Sequence, residues 1–338
     1  MAVQTQNEGA SPVAKEKNKN PLKLRAITAA VYVAVWALMF AIKWCVPAGG
    51  VAGGWGSLGF DMVFCAISVI GAMEFLRAID RSESGANCKI SFAQRAFTLA
   101  FCAVCVPLFA IMEMIPQTNG SGLLAVACAF TVYLMFLAAT SVFDHNRSSV
   151  KGTIYCVFCM LYCGVLSTML SAINHLNENS MAGLLFLFAC AVLTDTGAYA
   201  IGSALKKYVP LKLAPQLSPN KTVIGAVGGI IGGIIGAIIA YYLMYICGGV
   251  NGQVFVTHFN GVELTFNNPD YGLFAFIMVG LFTAVICQIG DLFESAIKRE
   301  CGIKDMGNLL PGHGGVLDRF DSMLYCSVVV LFCFSTII

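Results

Sequence analysis

The sequence predicts an all-α polytopic integral membrane protein of about nine transmembrane helices, with a cytosolic N-terminus. Three observations carry this. The 338 residues are 58% hydrophobic and 11% charged, with a mean hydropathy of +0.79, whereas soluble domains carry about 25% charged residues. The apolar residues fall into nine segments, at 26–45, 57–76, 96–115, 122–143, 152–173, 181–202, 223–246, 272–297 and 317–338, each near the roughly 20 residues that cross a bilayer. With the N-terminus inside, every Lys and Arg except Lys43 falls on an inner segment, as the positive-inside rule requires.

Residues 1–20 are polar, carry Lys15, Lys17 and Lys19, and read as a disordered cytosolic tail. Residues 21–180 form an N-terminal set of transmembrane helices with three ionisable groups in or near apolar spans, Asp61, Glu74 and Glu113. Such groups are functional candidates by default, because burying them is costly. Asp61 and Glu113 fall near span ends, where an interfacial position suffices, so Glu74 is the candidate for lining a polar cavity. Cys102 with Cys105, and Cys156 with Cys159, have CxxC spacing inside apolar spans without a histidine to complete a zinc site, and read as small packing residues.

Residues 181–338 form a C-terminal region with inner loops at 203–222 and 298–316. The seventh span carries Gly225, Gly228, Gly229, Gly232, Gly233 and Gly236, whose bare backbone lets another helix approach closely. That helix belongs either to this chain or to a second copy in a homodimer. In the outer loop 247–271, alternation around Asn260-Gly261 predicts a hairpin.

The densest chemistry lies between Asp291 and Asp321, where ten charged side chains sit between two apolar segments. Asp291, Ser295 and Lys298 share one helix face, with Arg299 adjacent, and Gly302 is a plausible helix stop. Pro311, Gly312, Gly314 and Gly315 form a turn of little bulk before a second helix that opens near Val316 and carries Asp318, Asp321 and Ser322 on one face. Backbone N–H groups at a glycine-rich helix start attract phosphate, and nearby carboxylates hold Mg²⁺ through oxygen. The parts point to a metal–triphosphate site.

The run SAIKRECGIKDMGNLLPGHGGVLDRFD resembles the signature of phosphatidate cytidylyltransferases (CDP-diacylglycerol synthases). Ser295, Lys298, Arg299, Lys304, Asp305, Gly307, Pro311, His313, Gly314, Gly315, Asp318, Arg319 and Asp321 stand where that pattern asks. Upstream, TDTGAYAIGSALKKYVPLKLAPQLSPNKT is similar to the same family at Asp195 and at Ser218, Lys221 and Thr222. It departs from the family at Ile224, where an acidic residue is common, and at Ser203, where an Arg is common.

The resemblance implies transfer of the cytidylyl group of CTP to phosphatidic acid, giving CDP-diacylglycerol and pyrophosphate for phospholipid synthesis. It implies Mg²⁺, more than one ion included, on Asp291 and Asp318, with Asp321 and Asp305 secondary. Lys298 and Arg319 join those two aspartates as catalytic residues. Asp195, Ser218, Lys221, Thr222, Ser295, Arg299, Lys304, His313, Gly314 and Gly315 are the expected substrate-binding residues. His313 is either a phosphate donor or part of a purely conformational turn. The site is expected to face the cytosol, at the inner membrane if the source is bacterial, with the lipid bilayer as a partner and no nucleic acid. A transporter is the rival from another class, and predicts an internal repeat that the sequence does not display. A CTP-dependent lipid kinase, which would move the γ-phosphate instead, is the nearer rival.

Overall fold

Where no water is at hand to satisfy the backbone, apolar segments pair their N–H and C=O groups internally and become helices. The computed structural model describes residues 21–45, 50–82, 88–115, 117–118, 120–176, 179–247, 256–259, 262–265, 269–310 and 314–336. The polar tail 1–20 and His313 therefore lie outside the described residues. The helices are α1 (Pro21–Cys45), α2 (Gly50–Arg81), α3 (Phe92–Met114), α4 (Gly122–Phe143) and α5 (150–174), then α6 (Ser180–Leu205), α7 (Val223–Cys247), α8 (Pro269–Glu300) and α9 (Leu317–Thr336). Helix α5 contains a π-helical turn at Met160–Val165.

Among the described residues seven helices, α2 to α8, are long and apolar enough to cross a membrane. The other two of the nine expected segments are α1, whose apolar stretch among the described residues is Val33–Cys45, and α9, which opens on Asp318, Arg319 and Asp321. The all-α expectation holds for the membrane-spanning part, and two short hairpins are added to it. Strands β1 (Lys212–Ala214) and β2 (Ser218–Thr222) pair antiparallel in the 203–222 segment, with Lys212 opposite Thr222 and Ala214 opposite Ser218. A second hairpin, β3 (Val256–Phe259) with β4 (Val262–Thr265), forms where Asn260-Gly261 predicts it.

The glycines of α7 are spent inside the chain. A Cβ on Gly232 would stand 2.0 Å from the Leu193 carbonyl oxygen, and one on Gly236 would stand 2.7 Å from that of Ala189, both on α6. On the α8 side, a Cβ on Gly233 would meet the Ala284 methyl at 2.5 Å. Of the two neighbours the stripe allows, helices of this chain are the ones it meets, since α6 and α8 pack against these glycines. Because the obstacle at Gly232 is backbone, Gly232→Leu should drive α6 and α7 apart at a cost of about 1–3 kcal/mol or more. Thermal unfolding in detergent should show a lowered midpoint; an unchanged midpoint would mean that the helix pair accommodates the side chain.

The core is aromatic and cysteine-rich. Trp36 of α1 packs on Phe188 of α6 with ring centroids 4.2 Å apart and also meets Phe60, Phe64 and Phe320. Cys102, Cys105, Cys156 and Cys159 are free thiols with no exposed surface, as the packing reading expects. Lys43, the exception to the charge rule, joins a polar cluster linking α1, α2 and the end of α5. Its Nζ donates to Asn174 Oδ1 at 2.6 Å and Ser57 Oγ at 3.1 Å. Asp61 accepts from Ser171 Oγ at 2.6 Å and Asn174 Nδ2 at 3.0 Å, and lies 2.9 Å from His175 Nε2. Glu113 accepts from the N–H groups of Gly120 and Gly122, both at 3.0 Å. Both carboxylates thus tie helix ends together.

Candidate active site

At one end of the bundle the last turns of α8, the loop 301–316, the start of α9 and the β1–β2 hairpin converge. Helix α8 stops as its sequence asks. Gly302 adopts φ +66°, its N–H donates to the Arg299 carbonyl at 3.0 Å, and the Ile303 N–H donates to the Lys298 carbonyl at 2.9 Å. This is the glycine-terminated reversal that satisfies the last carbonyls of a helix. The chain then turns back, and Gly314, at φ +87°, closes the loop by accepting the Leu310 N–H at 2.9 Å.

Two carboxylates pin this loop. Asp318 accepts from the Met306 N–H at 3.0 Å through Oδ2, from the Gly315 N–H at 2.7 Å and from Lys298 Nζ at 2.9 Å. Lys298 is shared with Glu294 one turn earlier on α8. Glu74, 4% exposed, comes from α2 and accepts from the Val316 N–H at 3.1 Å and the Leu317 N–H at 2.9 Å. A carboxylate there satisfies orphan donors and opposes the positive end of the helix dipole. It also explains two glycines: a Cβ on Gly307 would lie 2.1 Å from Glu74 Oε1, and one on Gly315 would lie 2.5 Å from Oε2.

This arrangement corrects one expectation. The glycine-rich helix start is not an open phosphate cradle, because the N–H groups of Gly315, Val316 and Leu317 are already taken by Asp318 and Glu74. Phosphate must be met by side-chain cations instead.

The hairpin joins the same end. Arg299 Nε donates to the Leu217 carbonyl at 3.0 Å, and its Nη1 to that of Ile303 at 3.3 Å. Lys221 ion-pairs with Asp291 of α8. Thr222 Oγ1 accepts the Gly225 N–H at 3.1 Å, which caps α7, and Ser218 opens β2 opposite Ala214. From α6, Asp195 lies within electrostatic reach of Asp291, Asp321, Lys221 and Arg319. Asp321 is 6% exposed, accepts the Ser322 N–H at 2.7 Å, and lies beside the fully buried Glu294. Glu294 Oε1 has no hydrogen-bond partner. Ser295 is buried on the same helix, whereas Lys304 and Asp305 are exposed.

Asp195, Asp291, Asp318, Asp321, Lys221, Lys298 and Arg319 thus come together, and Arg299 ties the two inner loops. The four carboxylates expected on metal are not gathered as one ligand set: among the described residues no three His, Cys, Asp or Glu side chains form a metal site by themselves. Mg²⁺ asks less of the protein, since it typically takes one or two carboxylates and completes its shell with water and substrate phosphates. Glu294 Oε1, without a hydrogen-bond partner, leaves a buried acceptor beside Asp321 that a cation would satisfy.

Sequence reasoning missed one residue, and for a second it missed the partners. Glu294 stands i+3 from Asp291 and i−4 from Lys298, a spacing that placed it on the working face. Glu74, the candidate for lining a polar cavity, lines the cleft beside residues 306–309, but nothing local points to its partners at 316 and 317.

Fold and site together define a polytopic helical membrane protein with a charge-dense centre at one end of its bundle. The chain belongs to the cytidylyltransferase family, whose sequence model matches residues 23–337. It is 33% identical over 219 residues to a phosphatidate cytidylyltransferase of Staphylococcus saprophyticus, covering 64% of this chain and 72% of that one. Proteins of the same name from Staphylococcus haemolyticus and Staphylococcus aureus are 32% and 31% identical over 216 and 221 residues, again covering 64% of this chain and 72% of theirs.

Proposed function

We infer that the chain transfers the cytidylyl group of CTP to phosphatidic acid, releasing pyrophosphate and forming CDP-diacylglycerol for phospholipid synthesis. The observation that carries this reading is the convergence of two distant motifs on one charged cluster, through Lys221 with Asp291 and Arg299 with the Leu217 carbonyl. Family membership supports it, as do the names of the relatives.

A phosphate monoester is largely dianionic near neutral pH, so its oxygen attacks the α-phosphorus of CTP without a protein nucleophile. The protein supplies position and charge neutralisation. Asp291 and Asp318, with Asp321 and Asp305 secondary, would hold one or more Mg²⁺ ions. Bound there, the metal neutralises charge on the triphosphate and on the leaving pyrophosphate. Lys221, Lys298, Arg299, Lys304 and Arg319 meet the remaining phosphate charge. Asp195, Ser218, Thr222, Ser295, His313 and Gly314 complete the proposed substrate contacts.

On this reading α1 and α9 also cross the membrane, giving nine spans. The N-terminus and the active site then face the cytosol, where CTP and Mg²⁺ are found, at the inner membrane in a bacterium. The test uses purified protein, phosphatidic acid and Mg²⁺ with CTP labelled at the α- or the γ-phosphate. The α-label should enter the organic phase, and chelation by EDTA should stop it. Transfer of the γ-label instead would mean a lipid kinase and overturn the assignment.

A further inference from the structure

Helix α2 and the signature loop enclose a cleft of about 550 Å³ that no part of the proposed chemistry has used. It shares the Met306–Gly307 backbone with the site, since the Met306 N–H that donates to Asp318 belongs to its wall. Glu74, bound to the start of α9, Gly307 and Asn308 form part of the lining, and the rest joins two chemistries. Ile70, Met73, Met306 and Leu309 are apolar, and Arg77 and Arg81 are cationic. Residues 70, 73, 77 and 81 recur along one face of α2, so the apolar half lies deeper in the helix and the cations occupy its end.

Both arginines are exposed, and among the described residues neither is in a salt bridge. The carboxylates of α2 nearest to them are committed elsewhere. Asp80 holds Arg95 through two bonds of 2.6 and 2.7 Å, and Glu74 holds the start of α9. Two cations one helical turn apart, at the mouth of an apolar-walled cleft, complement one kind of ligand. It is a phosphate monoester carried on acyl chains, with the phosphate on a forked pair of guanidinium donors and the chain against the apolar wall.

We propose that this cleft seats the lipid acceptor, with Arg77 and Arg81 binding its phosphate and Ile70, Met73, Met306 and Leu309 receiving the acyl chain next to the headgroup. The proposal rests on the reaction inferred above, in which phosphatidic acid is that acceptor. It gives the two substrates adjoining seats that meet at the shared Met306 backbone, the nucleotide at the Asp291–Lys221 cluster and the lipid at α2.

The test is steady-state kinetics of the full chain in mixed micelles, with lipid and CTP varied separately. The Arg77→Gln/Arg81→Gln variant should raise the KM for phosphatidic acid about tenfold or more, as expected for loss of charge-assisted hydrogen bonds. The KM for CTP and kcat at saturating lipid should stay near wild type. The Arg77→Lys/Arg81→Lys variant, which keeps the charge, should restore the lipid KM to within about threefold. An unchanged lipid KM, or a rise in the CTP KM instead, overturns the proposal. A second measurement needs no variant. Wild-type protein is irradiated with a phosphatidic acid that carries a diazirine on the acyl chain near the headgroup, and label is expected in peptides holding residues 70–81 or 306–309. Label confined to other segments overturns it. Failure of the wild type to transfer α-labelled CTP would sink the reaction, and is read independently of where the lipid label falls.

Discussion

Replacing Asp318 by asparagine should lower turnover by at least about a hundredfold, the scale of losing one transition-state contact of roughly 2.7 kcal/mol. Two losses coincide in that substitution. A proposed metal ligand disappears, and the amide places a donor where the N–H groups of Met306 and Gly315 and the Lys298 ammonium all need an acceptor. Asp291→Asn separates the two. Asp291 pairs with Lys221 rather than with the loop, so its loss should reduce kcat similarly while the loop keeps its order. The measurements are kcat for both variants and limited proteolysis of the 301–316 segment. Near-normal activity in Asp291→Asn would remove that residue from the metal site.

Glu74→Gln should be nearly as damaging, although Glu74 touches no substrate in the proposed reaction. The glutamine amide has one acceptor oxygen where two backbone donors converge, so either the Val316 or the Leu317 N–H is left unsatisfied in a buried place. Such a loss costs about 1–3 kcal/mol. Its NH₂ group would also press on Gly307 or Gly315, which have no room even for a Cβ. A lowered unfolding midpoint and a fall in kcat should appear together. A variant of wild-type stability and full activity would mean that the loop holds its shape without the anchor.

What the sequence made legible was what is written locally. Among the described residues the nine apolar segments form nine long helices, because hydropathy needs no partner to be read. Gly302 was legible as a stop, since a glycine after a cationic last turn is a local signal. Most of the candidate site was legible too, because its residues lie in a contiguous signature and in one turn upstream. The glycines of α7 announced a close approach, yet spacing alone does not say whether the neighbour is Leu193 of the same chain or another copy. The β1–β2 hairpin escaped because KLAPQLSPNKT has no apolar alternation. It is held instead by Arg299 and Lys221, each reaching across from or to α8. Glu74 escaped for the same kind of reason: its meaning lies 242 residues away.

That separation bears on how the protein is made. At about 5–20 residues per second, a ribosome that has placed Glu74 works for on the order of 10–50 s before the residues it anchors emerge. Throughout that interval the carboxylate lacks the two N–H donors that it binds in the folded chain. The enzyme is therefore inert through most of its own synthesis. A ribosome stalled before residue 316 would leave a membrane-inserted product with nearly every helix in place and no assembled centre.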